Sequence, residues 1–218
     1  MKKILLISFL IGLSQIGFSQ EIRLNTYGGY VFKDRVDSYY SRTSYFEGQI
    51  QDGGRWGGGI EYLIPDRSGL EIKYLRQNTN APTVYQDGTN SGGQVQQTDF
   101  DLRLNWLMVD GTRYFPVNQL IEPFAGLGVG MGIFSLTNPD TNNQRSTTKL
   151  ALSVRGGINL WLVDNLAFRA QASLMSAVQS IGGGFFFGTG GSSAGLSTYS
   201  SMYQFGFDGG LVFRIPQN

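Results

Sequence analysis

Large apolar residues fill every second position over long stretches of this chain, and no other feature limits its possible folds so tightly. In TDFDLRLNWLM (98–108), Phe100, Leu102, Leu104, Trp106 and Met108 are separated by Asp99, Asp101, Arg103 and Asn105. Successive side chains of a strand point to opposite faces, so a period of two predicts a strand with one apolar and one polar face. A soluble sheet turns the apolar face to a core and the polar face to water. A barrel in lipid does the reverse, with apolar residues outside and polar ones in the lumen. One strand satisfies both descriptions.

Seven more segments repeat the pattern. IRLNTYGGYVF sets Ile22, Leu24, Tyr30 and Phe32 against Arg23, Asn25 and Tyr27. RWGGGIEYLI sets Trp56, Ile60, Tyr62 and Ile64 against Arg55 and Glu61, and LEIKYLRQ sets Leu70, Ile72 and Tyr74 against Glu71, Lys73 and Gln77. PFAGLGVGMGIF places Ala125, Leu127, Val129, Met131 and Ile133 opposite four glycines. KLALSVRGGINLWL places Leu150, Leu152, Val154, Ile158, Leu160 and Leu162 opposite Lys149, Ser153, Arg155 and Asn159. LAFRAQASL sets Leu166, Phe168 and Leu174 against Arg169, Gln171 and Ser173. YQFGFDGGLVFRI sets Tyr203, Phe205, Phe207, Leu211, Phe213 and Ile215 against Gln204, Asp208 and Arg214. The strand that begins at 98 is expected to run on to Phe115, with a bulge near Val109 to Gly111 where Asp110 falls on the apolar side.

The connections alternate in length. PDRSG (65–69), PVNQ (116–119) and VDN (163–165) are short turn signals, whereas 33–54, 79–95, 135–147 and 176–198 are long and polar or glycine-rich. Short turns at one end and long loops at the other suit an outer-membrane barrel, whose strands cross in about ten residues. A soluble β-sandwich fits the alternation but not the regular long–short connections. The expected fold is therefore an all-β, eight-stranded antiparallel transmembrane up-and-down barrel, with the charged faces turned to the lumen.

The ends and the composition agree with export. MKKILLISFLIGLSQIGFSQ has a basic start at Lys2 and Lys3 and a short apolar run. Gly17 and Ser19 then sit at the −3 and −1 positions of a cleavage site. Residues 1–19 are read as a secretory signal peptide and 20–218 as the barrel domain. Without Lys2 and Lys3 the 17 basic residues become 15, against 16 acidic ones. A near-neutral chain with no basic run argues against a nucleic-acid partner. The chain has no cysteine, so no disulfide framework supports it. No apolar run after the signal is long enough for a transmembrane helix.

GTRYFPVNQLIEPFAGLGVGMGIF ends one strand in Tyr-Phe-Pro, turns tightly, and resumes with Pro-Phe-Ala-Gly and alternating glycine. This stretch, with GGINLWLVDNLAFRAQASL and the closing FDGGLVFRI, resembles the small outer-membrane β-barrel family, the OmpA-like and PorT-like barrels common in Bacteroidota. The resemblance implies a fold and a location in a Gram-negative outer membrane, not an activity. Such barrels often end on an aromatic residue, whereas Phe213 is followed here by RIPQN.

An eight-stranded barrel is just wide enough for side chains to fill. The expected lumen set is Glu61, Glu71, Asp99, Asp101 and Asp208 with Arg23, Arg55, Lys73, Arg103, Lys149, Arg155, Arg169 and Arg214. Mixed charges in so narrow a space are expected to pair, because an unpaired buried charge is costly. The four glycines at 126, 128, 130 and 132 leave room for long side chains reaching from the opposite wall. Asp99 and Asp101 share a face as an acid–base pair would, but Arg103 beside them favours salt bridging. With no histidine there is no Ser–His–Asp chemistry and no Cys/His zinc site, and the glycines match no phosphate-binding motif. No enzyme, cofactor or metal is expected. QDGTN (86–90) and NPDTNN (138–143) hold oxygen ligands that suit Ca²⁺ but read more simply as turns. The loop SIGGGFFFGTGGSSAGLS (180–197) presents Phe185, Phe186 and Phe187 together. An aromatic cluster there fits either a lid packed on the barrel mouth or a contact with a partner. The function expected is structural or accessory, with lipid and another envelope protein as partners; a narrow channel for small solutes is the alternative.

Overall fold

Strands in lipid must find all their hydrogen-bond partners in neighbouring strands, which only a closed ring provides. The computed structural model describes residues 21–41, 44–86, 95–139, 142–178 and 202–216. Its strands are β1 (Ile22–Val31), β2 (Asp34–Ser41), β3 (Ser44–Ile50), β4 (Gly53–Ile64) and β5 (Ser68–Gln86). They continue with β6 (Val95–Tyr114), β7 (Ile121–Thr137), β8 (Gln144–Val163), β9 (Leu166–Val178) and β10 (Met202–Ile215). Eight of them form the ring β1-β4-β5-β6-β7-β8-β9-β10, every pair antiparallel, closed by β1 on β10. The fold is the expected eight-stranded barrel. Following partners from Gln77 through Arg55, Gly29, Asp208, Gln171, Gly157, Phe124 and Tyr114 returns to Arg67, just before β5 and ten residues from the start. That stagger over eight strands means a tilted, narrow barrel whose interior side chains must fill it.

The strands are longer than the alternation suggested. The expected loop at 33–54 contains the hairpin β2–β3, and β3 extends the sheet beside the far end of β5, from Tyr45↔Gln86 to Gly48↔Thr83. Much of 79–95 is also strand, because β5 continues to Gln86 opposite β6. These extensions carry few lipid-facing apolar residues, so they resemble loops in sequence; their ladders nonetheless continue. At the opposite end, short turns join β4–β5, β6–β7 and β8–β9. Asp66 and Arg67 take the left-handed conformation in the first of these, at φ 69° and 62°.

The bulge expected at Val109–Gly111 is absent. The register of β6 runs unbroken against both neighbours, with Asp110 opposite Glu71 and Gly128. Asp110 keeps parity with Phe100 to Met108 because all of them face inward. The facing expected for this strand is therefore corrected. Phe100, Leu102, Leu104, Trp106 and Met108 are buried in the barrel, while Asp99, Asp101 and Arg103 lie on its outside.

The other seven ring strands face as expected. Leu24, Tyr30, Ile60, Ile72, Leu127, Val129, Leu152, Val154, Phe168, Phe207 and Phe213 are among the exposed apolar residues that encircle the barrel. So broad an exposed apolar surface is a lipid-facing band, not the surface of a soluble sandwich. Among the described residues no helix is long and apolar enough to cross a membrane; strands make the crossing.

Candidate functional site

Inside the band the lumen is packed with paired charge, built from side chains that alternate inward on all eight ring strands. Arg155 on β8 sits at its centre. Its Nη1 lies 2.6 Å from Glu71 Oε2 and its Nε 3.3 Å from Asp110 Oδ2. The same guanidinium donates to Thr112 Oγ1 at 2.6 Å and to the Tyr27 hydroxyl at 3.2 Å. Asp110 also pairs with Lys73 Nζ and accepts from Ser153 Oγ at 3.0 Å. The Tyr27 hydroxyl donates to Glu71 Oε1 at 2.5 Å and accepts from Arg169 Nη1 at 3.0 Å.

Arg169 carries the network toward the turn end. It donates to Asn159 Oδ1 at 2.8 Å and to the Tyr114 hydroxyl at 3.1 Å, and lies 3.5 Å from Glu61 Oε2. Tyr114 in turn donates to Glu61, and Asn25 bridges Glu61 and Glu71 with contacts of 3.1 and 2.8 Å. A second centre joins Arg55 to Asp208 through two contacts of 3.1 and 2.6 Å, with Gln171 and Ser173 completing the carboxylate. At the turn end Arg23 meets Glu122 at 2.9 Å and Glu21 at 2.6 Å, and Arg214 shares Glu21 at 2.6 Å. The Arg23 guanidinium stacks 4.9 Å from the ring centres of both Tyr114 and Trp161.

Five of the six buried cations (Arg23, Arg55, Lys73, Arg155 and Arg169) thus face five buried carboxylates (Glu61, Glu71, Asp110, Glu122 and Asp208), and Lys149 on β8 is the sixth. Charges taken this far out of water are tolerated only with close geometry and with the remaining polar atoms satisfied, and the shared hydroxyls and amides supply much of that. Glycines make the room. A Cβ on Gly29, Gly59, Gly69 or Gly128 would overlap the carboxylate of Asp208, Glu71, Glu61 or Asp110 respectively. The glycines of β7 therefore admit side chains of the adjacent strands β6 and β8, not of the opposite wall as expected: Arg155 lies at Gly126, Met108 at Gly130 and Trp106 at Gly132.

Beyond this network the interior changes character. Leu75, Ala81, Phe100, Leu102, Leu104, Trp106, Met108, Phe134, Met175 and Met202 form one apolar cluster, with the Trp106 and Phe134 rings 5.2 Å apart edge to face. Gln77 and Gln204 are fully buried, and neither side-chain amide has a hydrogen-bond partner among the described residues.

Of the residues expected in the lumen, Arg23, Arg55, Glu61, Glu71, Lys73, Lys149, Arg155, Arg169 and Asp208 are buried on inner faces, and Arg214 is at the rim. Asp99, Asp101 and Arg103 are not among them; all three are exposed. Their strand has left the lipid band by that point, so water takes the polar face and the core takes the apolar one. Tyr27 was expected on an inner face but not as a bridge between charges. Asp110, Tyr114, Glu122 and Glu21 were not expected in the network at all. Parity from Met108 would have found Asp110 and Tyr114, had the break been read as continuity. Phe185, Phe186 and Phe187, the segment 87–90, residues 140–141 and the signal segment 1–19 lie outside the described residues. The described part of the 138–143 segment closes as a turn, with Asn142 N donating to Asn138 O at 2.9 Å.

The chain thus has the fold and lipid-facing band of a small outer-membrane β-barrel, with an interior filled by paired charge and an apolar core. No family model matches it, and no curated protein sequence does either. Solved structures share the fold, among them the following two. Neisserial surface protein A (NspA) superposes with a TM-score of 0.55 at 12% identity, over 90% of this chain and 96% of that one. The outer membrane protein OprG from Pseudomonas aeruginosa does so at 0.52 and 11%, over 91% and 96%.

Proposed function

We propose that the protein is a non-enzymatic barrel of the Gram-negative outer membrane, a structural or accessory component whose extracellular loops engage another envelope protein. The filled interior carries this reading. Paired charges occupy the lumen toward the turn end, and the apolar cluster occupies it toward the loop side, from Met108, Ala151 and Met175 on. An interior fixed in this way offers solutes no open path, which leaves the loops and rims as the surfaces able to act on anything else. The Bacteroidota character suggested by the sequence belongs to the same proposal. So does the export signal at 1–19, which predicts a mature N-terminus at Gln20 by N-terminal sequencing.

Planar-bilayer recordings of the purified barrel test the filled interior: no steady conductance is expected at neutral pH. Stable, well-resolved current steps would favour the narrow channel instead. The loop is tested by deleting 182–191, which contains Phe185, Phe186 and Phe187. Heat-modifiable migration on gels should persist, while any protein that co-purifies with the tagged barrel from native membranes should be lost. Unchanged co-purification would remove the loop from the proposal.

A further inference from the structure

The apolar band is not equally tall around the ring. On β8 the outward residues from Leu150 to Leu162, and on β10 those from Tyr203 to Ile215, are apolar, aromatic or glycine at seven successive outward positions. On β5 only Leu70, Ile72 and Tyr74 stand between Ser68 and Arg76, and on β6 only Leu107, Val109 and Gly111 stand between Asn105 and Arg113. The two short runs lie side by side, from Leu70↔Gly111 to Tyr74↔Leu107, and are bounded by Ser68↔Arg113 and Arg76↔Asn105.

Two residues of a strand tilted by about 40° rise about 5 Å, so three outward positions cover about 15 Å where seven cover about 35 Å. Lipid-facing bands of such barrels are about 25 Å tall. The β5–β6 wall falls short at both ends. Tilting the barrel would raise both edges on one side together and cannot cure this, so at this wall the bilayer must thin or headgroups must come deeper.

The edge on the loop side carries chemistry suited to deeper headgroups. Arg76 stands opposite Asn105, and Asn78 opposite Arg103. Arg76 Nε donates to Asn78 Oδ1 at 3.2 Å, and the Tyr74 hydroxyl donates to Asn105 Oδ1 at 2.7 Å, so the amides are already oriented. Arg103 is exposed and makes no ion pair with a described residue. The carboxylates come only farther out: Asp101 and Asp99 follow Arg103 at the next two outward positions, and Asp99 accepts from Asn80 at 3.1 Å. Cations therefore lie nearest the lipid, with acids behind them.

We propose that this edge is a recognition surface for the phosphorylated headgroup of an outer-leaflet lipid, with Arg76 and Arg103 on the phosphate and Asn78 and Asn105 beside it. Guanidinium forks match phosphate oxygens in pairs, and the arginine stems lie against the apolar rim while the heads stay at the interface. The short band brings the phosphate to them. The proposal rests on the membrane-barrel reading and has its own test.

The full-length barrel is placed in phosphatidylcholine nanodiscs doped with bisphosphorylated lipid A, and retained lipid is measured by native mass spectrometry. Retention of lipid A should exceed that of its dephosphorylated form, and Arg76→Gln with Arg103→Gln should lower it about tenfold. Arg145→Gln, an exposed cation on β8 where the band is tall, should leave retention unchanged. Equal retention of the two lipids, or by wild type and the double variant, overturns the proposal. So does efficient cross-linking of an Arg103→Cys variant into dimers in the nanodisc, which would make a second copy the occupant of this wall. Because the chain has no cysteine, a nitroxide on Leu152→Cys gives a clean control. If that label is open to aqueous reagents in every variant, the membrane-barrel reading fails instead.

Discussion

Strand β6 passes through two regions of opposite construction. In its last third Asp110, Thr112 and Tyr114 face a charged interior, while Leu107 and Val109 face outward into the band. In its earlier part Phe100 to Met108 fill an apolar core, while Asp99, Asp101 and Arg103 face outward. The backbone pairing does not change between them, and no bulge marks the boundary. The outside medium changes. In the band the solvent is lipid, so apolar residues go out and the polar ones must satisfy each other inside. Beyond the band the solvent is water, and the strands revert to the arrangement of a soluble sheet. A polar interior is thus permitted by an apolar exterior and not required by it, since Met108 joins the apolar core between Leu107 and Val109.

The strongest test of this contrast is Arg155→Ala. It would take the guanidinium away from Glu71 and Asp110 together, and breaking a buried pair in this way costs about 3–5 kcal/mol. Chemical unfolding in lipid vesicles measures it. A cost below about 1 kcal/mol, the level of an exposed pair, would mean that water reaches the network and that the two regions differ less than described.

Leu127→Arg tests the outer face of the lipid region. Leu127 is 67% exposed on β7, and a cation there should cost about 2–4 kcal/mol near the bilayer midplane. If the variant folds into vesicles with unchanged stability, that face does not meet lipid.

Leu104 and Arg103, adjacent on β6, sharpen the contrast beyond the band. Leu104 is fully buried, and Leu104→Ala should cost about 2–3 kcal/mol through lost burial and a partly unfilled cavity. Arg103→Ala should change stability by no more than about 0.5 kcal/mol, since the side chain is exposed. The alternation alone places Arg103 in the lumen, and a large measured loss would restore that role.

Much of the site was legible because alternation is local. Once β8 is known to be a strand, Lys149, Ser153, Arg155 and Asn159 must share one face, and Leu150 to Leu162 the other. The same holds for Arg169, Gln171 and Ser173 on β9. What could not be read was where along a strand the medium changes. TDFDLRLNWLM alternates as cleanly as KLALSVRGGINLWL, but the first stands mostly beyond the lipid and the second mostly within it. Glu122 shares the inward face of β7 with the four glycines, but it precedes Pro123, where the alternating run PFAGLGVGMGIF begins, and nothing local marks it. Its role depends on Arg23, ninety-nine residues away in the chain.

The sequence alone determined that this chain is made of two-faced strands joined by alternately short and long connections, and which residues share a face. Side-chain parity along an extended backbone needs no information beyond neighbouring residues. Only the tertiary structure decided which face points inward at each height and which charge meets which. It also decided that glycines on β1, β4, β5 and β7 make room for the carboxylates, and that the band is short along β5 and β6. Each of these depends on the stagger that brings distant strands to a common depth and on whether lipid or water lies outside at that depth.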